Sequence, residues 1–242
     1  RRYSRTVEIL VSVCIVISYL VWVSAQITAL GLVFNVLSQG ALSLSAGMII
    51  GAAIVLLYTL FGGMWSVALT DFFQMTIIVV GLVYITYVVS GLAGGADKVV
   101  AHAAAAGKFE FAPALTSKDI LAFVAAWVTM MFGSIPQQDV FQRVMSAKDV
   151  KAATRGPVIG GACYILFAFV PMFLVTSALI IMPEQASVLI KEDPQKVLPT
   201  LVLEKMPFVM QVLFFGALLS ALKSTASATL LAPSVTFTEN IL

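Results

Sequence analysis

From Ile9 to Thr70 the chain carries no charged residue. A helix rises about 1.5 Å per residue and the hydrocarbon core of a bilayer is about 30 Å thick, so this run alone is long enough for two crossings. Hydrophobic residues make up 60% of the whole chain and charged ones 11%, with a mean hydropathy of +1.03. The fold class that follows is all-α: a polytopic helical membrane protein, with the lipid bilayer as its first partner. A net charge of +2 is too small to suggest a nucleic-acid partner. Cys14 and Cys163 both lie in apolar runs and read as small buried thiols, not a disulfide. His102 has no second His or Cys near it, so it does not read as a metal ligand. No nucleophile–base pair or phosphate loop appears, so neither an enzyme nor a cofactor is expected. The chain opens Arg1-Arg2-Tyr3-Ser4-Arg5 without a methionine and reads as a piece of something longer.

Charges and breakers divide the sequence into six spans, at about 6–37, 44–61, 65–90, 119–146, 150–182 and 207–240. Ser38-Gln39-Gly40 separates the first two, and Gly62-Gly63 reads as a tight turn before the third. The fourth is interrupted at Gly133-Ser134-Ile135-Pro136, and Pro171 should kink the fifth. The loop 94–118 holds a short amphipathic helix near 97–107, and the loop 183–206 is partly helical, broken by Pro194 and Pro199. Arg1, Arg2 and Arg5 precede span one, while Arg143, Lys148, Lys151 and Arg155 lie between spans four and five. Both clusters fall on one side of a six-helix chain, which the positive-inside rule makes cytoplasmic; the two long loops then lie outside.

Two charges stand where lipid should exclude them. Lys223 is the one charge between Met206 and Thr238. An ammonium at that depth costs at least about 2.5–3.5 kcal/mol, so it needs an acidic partner, a wet cavity or a function. Ser220, Ser224, Thr225, Ser227 and Thr229 surround it with hydroxyls suited to a small cation, which points to transport. Asp71 lies about two turns into span three and faces the same cost. At about 100° per residue, Ala221, Ser224 and Thr225 share one face of span six. That spacing serves hard oxygen ligands, and equally serves hydroxyls that bond back to their own helix.

Three strings carry a resemblance. Residues 62–74 (GGMWSVALTDFFQ) are similar to the "GGMxAVxxTDxxQ" pattern of the sodium:solute symporter family, whose members include sodium/proline, sodium/sugar and sodium/iodide symporters. Residues 138–148 (QDVFQRVMSAK) resemble its "Q-D-x-x-Q-R-x-L-A-A-K". Residues 221–227 (ALKSTAS) and the closing TFTENIL resemble its "A-x-x-S-T-x-S…T-E-D-I-Y". The resemblance implies a central fragment of a LeuT-type inverted-repeat core. Residues 1–93 would be the last three helices of the first repeat, 94–118 an outside loop, and 119–242 the first three helices of the second. It implies a multi-pass protein of the cell (inner) membrane that couples Na+ to symport of a small organic solute by alternating access.

The resemblance also assigns residues. The main Na+ site would take the Ala221 carbonyl and the Ser224 and Thr225 hydroxyls. A second cation site, present in some members, would use Asp71 and Ser227, with Ala228 in place of a second hydroxyl. Lys223 lies about 200° from Ala221 and about 40° from Ser227, beside that impaired site. We therefore expect an Asp71–Lys223 pair in which the lysine replaces a bound cation, with H+ coupling or no coupling as the alternative to Na+. The solute path is expected around the break in span four, at Trp127, Met130, Ser134, Gln137 and Gln138. A transporter-like nutrient sensor fused to a histidine kinase is the competing function.

Overall fold

The structure, a computed structural model, describes residues 4–134 and 137–241, without the side chains of 62–67 and 134. The described residues are almost wholly helical. In chain order the helices are α1 (Arg5–Leu37), α2 (Leu44–Leu92), α3 (Ala96–Ala105), α4 (Ser117–Ser134), α5 (Gln138–Met145), α6 (Val150–Ile181), α7 (Pro183–Glu192), α8 (Val197–Lys205) and α9 (Phe208–Asn240). Five stretches are long and apolar enough to cross a membrane: α1, the two parts Leu44–Phe61 and Ala68–Leu92 of α2, α6 and α9. The pair α4 and α5, bent by 45°, makes a sixth if counted as one broken span. The protein is a multi-pass integral membrane protein.

The local chemistry accounts for the helix ends. At the end of α1, Gln39 and Gly40 take φ of 53° and 86°, and the Gly40 N–H donates to the Asn35 carbonyl at 2.9 Å. This closes the helix in the left-handed conformation that glycine adopts without steric cost. Ser43 then caps α2 by accepting from Ala46 N–H, and Asp149 caps α6 by accepting from Ala152 N–H at 2.7 Å. Thr116 and Asp119 form a reciprocal pair at the start of α4. The Thr116 hydroxyl accepts from Asp119 N–H at 3.2 Å and donates to its carboxylate at 2.5 Å.

Three expectations change. Residues 62 and 63 are helical, part of an unbroken α2, where a turn was expected. The axis nevertheless folds there. In a straight helix Cα atoms twelve residues apart are about 18 Å distant, yet the Tyr58 and Thr70 hydroxyls lie 2.8 Å apart. Pro199 does not break the 183–206 connection; it sits in the first turn of α8, where its missing N–H has no helical partner to lose. Cys14 and Cys163 are exposed on the outside of their helices, not buried. Pro171 lies inside α6, and the helix continues through it. The helix expected near 97–107 is α3, and 183–206 is helical around a single 3-10 turn, Pro194–Lys196.

Packing follows two different rules. The main core joins Ile85 and Val89 of α2, Leu174 and Ala178 of α6, Leu201 and Val202 of α8, and Phe215 of α9. Leu201 and Val202 are fully buried in it. Because α7 and α8 lie in a polar connection, burial from water drives them down, at about 1.5–3 kcal/mol per large side chain. Between α1 and α2 that force is missing, since lipid tails are as apolar as leucine, and close backbone approach takes over. A Cβ added at Gly47 would lie 2.8 Å from the Gly31 carbonyl oxygen, and one at Gly51 would lie 2.9 Å from Leu30 Cβ. Gly47 and Gly51, four apart, form the small-residue notch into which α1 fits. A smaller cluster of Leu30, Val55 and Ala226 adds α9 to this pair. By contrast, residues 117–133 of α4 are exposed throughout.

Candidate functional site

Helix-borne hydroxyls mostly bond back to their own backbone, and α9 shows the rule. Thr225, Thr229, Ser234, Thr236 and Thr238 each donate to a carbonyl one turn earlier. Ser220, Ser224 and Ser227 instead reach α2. The Ser224 hydroxyl donates to Asp71 Oδ1. The Gln74 amide, oriented so that its oxygen meets the Ala221 N–H at 2.8 Å, donates to the Ser220 hydroxyl at 2.8 Å and its carbonyl at 3.2 Å. Asp71 and Gln74 lie one turn apart on α2, as Ser220 and Ser224 do on α9, so two matched polar faces meet inside the membrane.

A neighbouring stripe of α9 faces the other half of α2. The Ser227 and Thr59 hydroxyls lie 2.5 Å apart; Thr59 donates to the Val55 carbonyl at 2.7 Å, so Ser227 donates to Thr59. Lys223, one turn before Ser227, carries its ammonium 3.5 Å from the centroid of the Tyr58 ring. This is cation–π contact, in which the ring face attracts the positive charge.

The expected Asp71–Lys223 pair is therefore not formed. Lys223 and Ser224 are adjacent in sequence, about 100° apart around the helix, and the two stripes face different halves of the folded α2. Asp71 is paired with Arg143 of α5, at 3.4 Å from Oδ2. Ser227 and Asp71, expected to share a second cation site, have separate partners, Thr59 and Ser224. Of the expected main site, Ala221 and Thr225 stay together, with the Thr225 hydroxyl donating to the Ala221 carbonyl at 3.0 Å. Ser224 is buried and turned to Asp71, while Thr225 is exposed.

Around the broken span, Gln137 and Gly133 line a groove of about 480 Å³ with Cys14, Ser18, Tyr19 and Trp22 of α1. Gln138 opens α5 and is half-buried. Trp127 and Met130 are exposed on α4 and do not line this groove; Trp127 lies against Phe123 at 6.3 Å between centroids. The Ser134 side chain and the residues 135–136 of the break lie outside the described residues. Two contacts at α5 had no expectation. Tyr19 donates to Asp139 Oδ1 at 2.6 Å while the Asp139 N–H donates to the Tyr19 oxygen at 3.1 Å, and Arg143 meets Asp71 as above. No group of three or more His, Cys, Asp or Glu side chains set to hold a metal ion occurs among the described residues.

A family model described as Sodium:solute symporter family matches residues 1–242. The human high affinity choline transporter 1 is 28% identical over 237 residues, covering 91% of this chain and 38% of the relative. The sodium/pantothenate symporter of Haemophilus influenzae is 24% identical over 83% of this chain and 40% of its own length. Sodium/glucose cotransporter 4 of Danio rerio is 26% identical over 78% of this chain and 33% of its own. The chain thus spans about two fifths or less of the length of the curated relatives it matches. No solved structure matches it. A match along the whole chain, on a bundle whose aspartate, glutamine and serines meet inside the membrane, settles the family: the chain belongs to the sodium:solute symporter family.

Proposed function

We propose that this chain is the central part of a secondary active transporter that uses sodium entry to drive uptake of a small organic solute. The observation that carries this is the oxygen-rich middle of α9, where the buried Ser224 hydroxyl departs from back-bonding to donate to the Asp71 carboxylate beside the Ala221 carbonyl and Thr225 hydroxyl. Hard oxygens of this kind replace the hydration shell of a small cation. Ala221, Ser224 and Thr225 are the sodium ligands in this reading, with Asp71 supplying nearby negative charge. The solute enters beside Gly133 and Gln137, where the groove is largely apolar, lined by Leu10, Val11, Ile15, Tyr19 and Trp22, and Ser18 and Gln137 offer hydrogen bonds. Relatives named for choline, pantothenate and glucose differ too much in chemistry to narrow the solute further.

In a LeuT-type arrangement, 1–93 and 119–242 belong to two inverted repeats, and alternating access is their rocking around a midplane site. The basic connection between α5 and α6 faces the cytoplasm and the loops after α2 and α6 face outward, in the cell (inner) membrane. Single cysteines at Lys151 and Glu192, in a background lacking Cys14 and Cys163, are expected to react with impermeant reagent from opposite sides of intact cells. Labelling from the same side would remove this topology.

The functional test is uptake by the full-length protein in liposomes. An inward sodium gradient should accumulate solute, and replacing sodium by potassium on both sides should stop accumulation. One observation favours a second reading, in which Lys223 itself acts as the cation and protons or no ion couple transport. Its ammonium is held on the Tyr58 ring within the hydroxyl-rich stretch of α9. Accumulation driven by a proton gradient in sodium-free buffer would select that reading.

A further inference from the structure

Arg143 figured in the sequence only as one charge of a basic cluster, yet its position ties α5, the second half of the broken span, to α2. The Asp71 carboxylate is divided: Oδ1 accepts from Ser224 of α9, and Oδ2 faces the Arg143 guanidinium of α5 at 3.4 Å. The arginine contact is long and open, with side chains 53% and 30% exposed. On the same helix Asp139, one turn from Arg143, is held by Tyr19 of α1. Besides packing on α9, the eight-residue α5 is therefore moored by two polar contacts: a short hydroxyl–carboxylate hydrogen bond at Tyr19 and a long, half-exposed ion pair at Asp71.

The charged mooring shares Ser224 with the proposed sodium ligands. A cation seated against Ser224 and a guanidinium on the opposite oxygen place two positive charges on one carboxylate. Each reduces the attraction available to the other, and the weaker, more solvated contact yields first. We propose that Arg143 is a coupling residue: it competes with sodium for Asp71, so that sodium arrival at α9 loosens α5 from the bundle. This rests on the sodium reading above. Linkage then requires the converse, that undocking α5 tightens sodium binding.

The sign of one measurement separates this from a structural role. In the full-length protein in detergent, Arg143→Gln should lower the sodium concentration for half-saturation, measured with radioactive sodium, about two- to fivefold, the range expected of a half-exposed ion pair. Arg143→Lys, which keeps the charge, should fall back toward wild type. The second readout is reaction of a maleimide with Gln142→Cys, half-buried on α5, in a background with Cys14 and Cys163 replaced by serine. Sodium should speed this labelling relative to potassium in the otherwise wild-type protein. Arg143→Gln and, independently, Asp71→Asn should label fast with either ion. An Arg143→Gln protein that binds sodium equally or more weakly, or that still labels slowly until sodium is added, overturns the proposal. Wild-type protein that binds no radioactive sodium removes the sodium reading itself and the proposal with it. That outcome is distinct from a wild type that binds sodium while Arg143 makes no difference.

Discussion

Removing both α9 hydroxyls, Ser224→Ala with Thr225→Ala, is expected to nearly abolish the sodium dependence of uptake by the full-length protein. A hydrogen-bond-strength contact to a charged group is worth about 1.5–3 kcal/mol net, so even one lost ligand oxygen should raise half-saturating sodium about tenfold or more. The cost to folding should be much smaller, and uneven. Thr225 is exposed and loses only a bond to its own helix, which is near neutral. Ser224 is buried and leaves Asp71 with Arg143 alone, at a cost of about 1–2 kcal/mol. The single variants therefore separate the two effects: Thr225→Ala should change sodium activation with an unchanged melting temperature, and Ser224→Ala should change both. Sodium activation that survives intact in the double variant would rule this site out.

Lys223→Met is expected to make the protein more stable and a worse transporter. The ammonium rests on an aromatic face and, among the described residues, makes no ion pair with a carboxylate. A cation–π contact returns about 0.5–2 kcal/mol, against an intramembrane cost of about 2.5–3.5 kcal/mol. Methionine fills a similar volume without either term, so unfolding in detergent should shift upward by about 1 kcal/mol. A residue kept against that gradient is kept for function, and uptake should fall or change its ion dependence. Because Lys223 and Asp71 have separate partners, Asp71→Asn combined with Lys223→Met should show the sum of the two single effects on stability. Mutual rescue in the double variant would restore the charge pair that the geometry excludes. A destabilised Lys223→Met would show that the ring contact outweighs desolvation.

The spans were legible because lipid imposes one rule on every residue at once. Apolar length, glycine and proline breaks, and charge placed α1, both parts of α2, α6 and α9 within a few residues of their ends. The bend between α4 and α5 was legible as Gly133-Ser134-Ile135-Pro136, where an apolar run gives way to the polar Gln137-Gln138-Asp139. Partner choice was not. The implied second cation site and the lack of another intramembrane carboxylate made Asp71 the expected partner of Lys223, but pairing depends on which half of α2 each stripe of α9 faces. That is set by the fold of α2 between Tyr58 and Thr70, which no local pattern reports. The glycine turn misled similarly: two glycines permit a turn, and here helical backbone passes through them while the axis folds. Gln74 drew no role of its own, and Ser220 only that of one hydroxyl among several near Lys223, because an amide and a hydroxyl are cheap enough in a membrane to need no explanation. Their role appears only when the opposing backbone of α9 is in place.

The glycine notch between α1 and α2 also settles where stiffness lies in this bundle. With Gly47 under the Gly31 carbonyl, the two backbones touch without intervening side chains that could swing aside. Sliding by one residue would drive Met48 or Ala46 into a space that excludes even a methyl group. The pair therefore behaves as a single beam, and compliance must be found elsewhere. Among the described helices, α4 is the one with least to hold it, exposed along 117–133. Load placed on α5 is delivered to the beam at Tyr19 and at Asp71, in the second half of α2, and to α9, so the beam is the frame of reference against which α5 works.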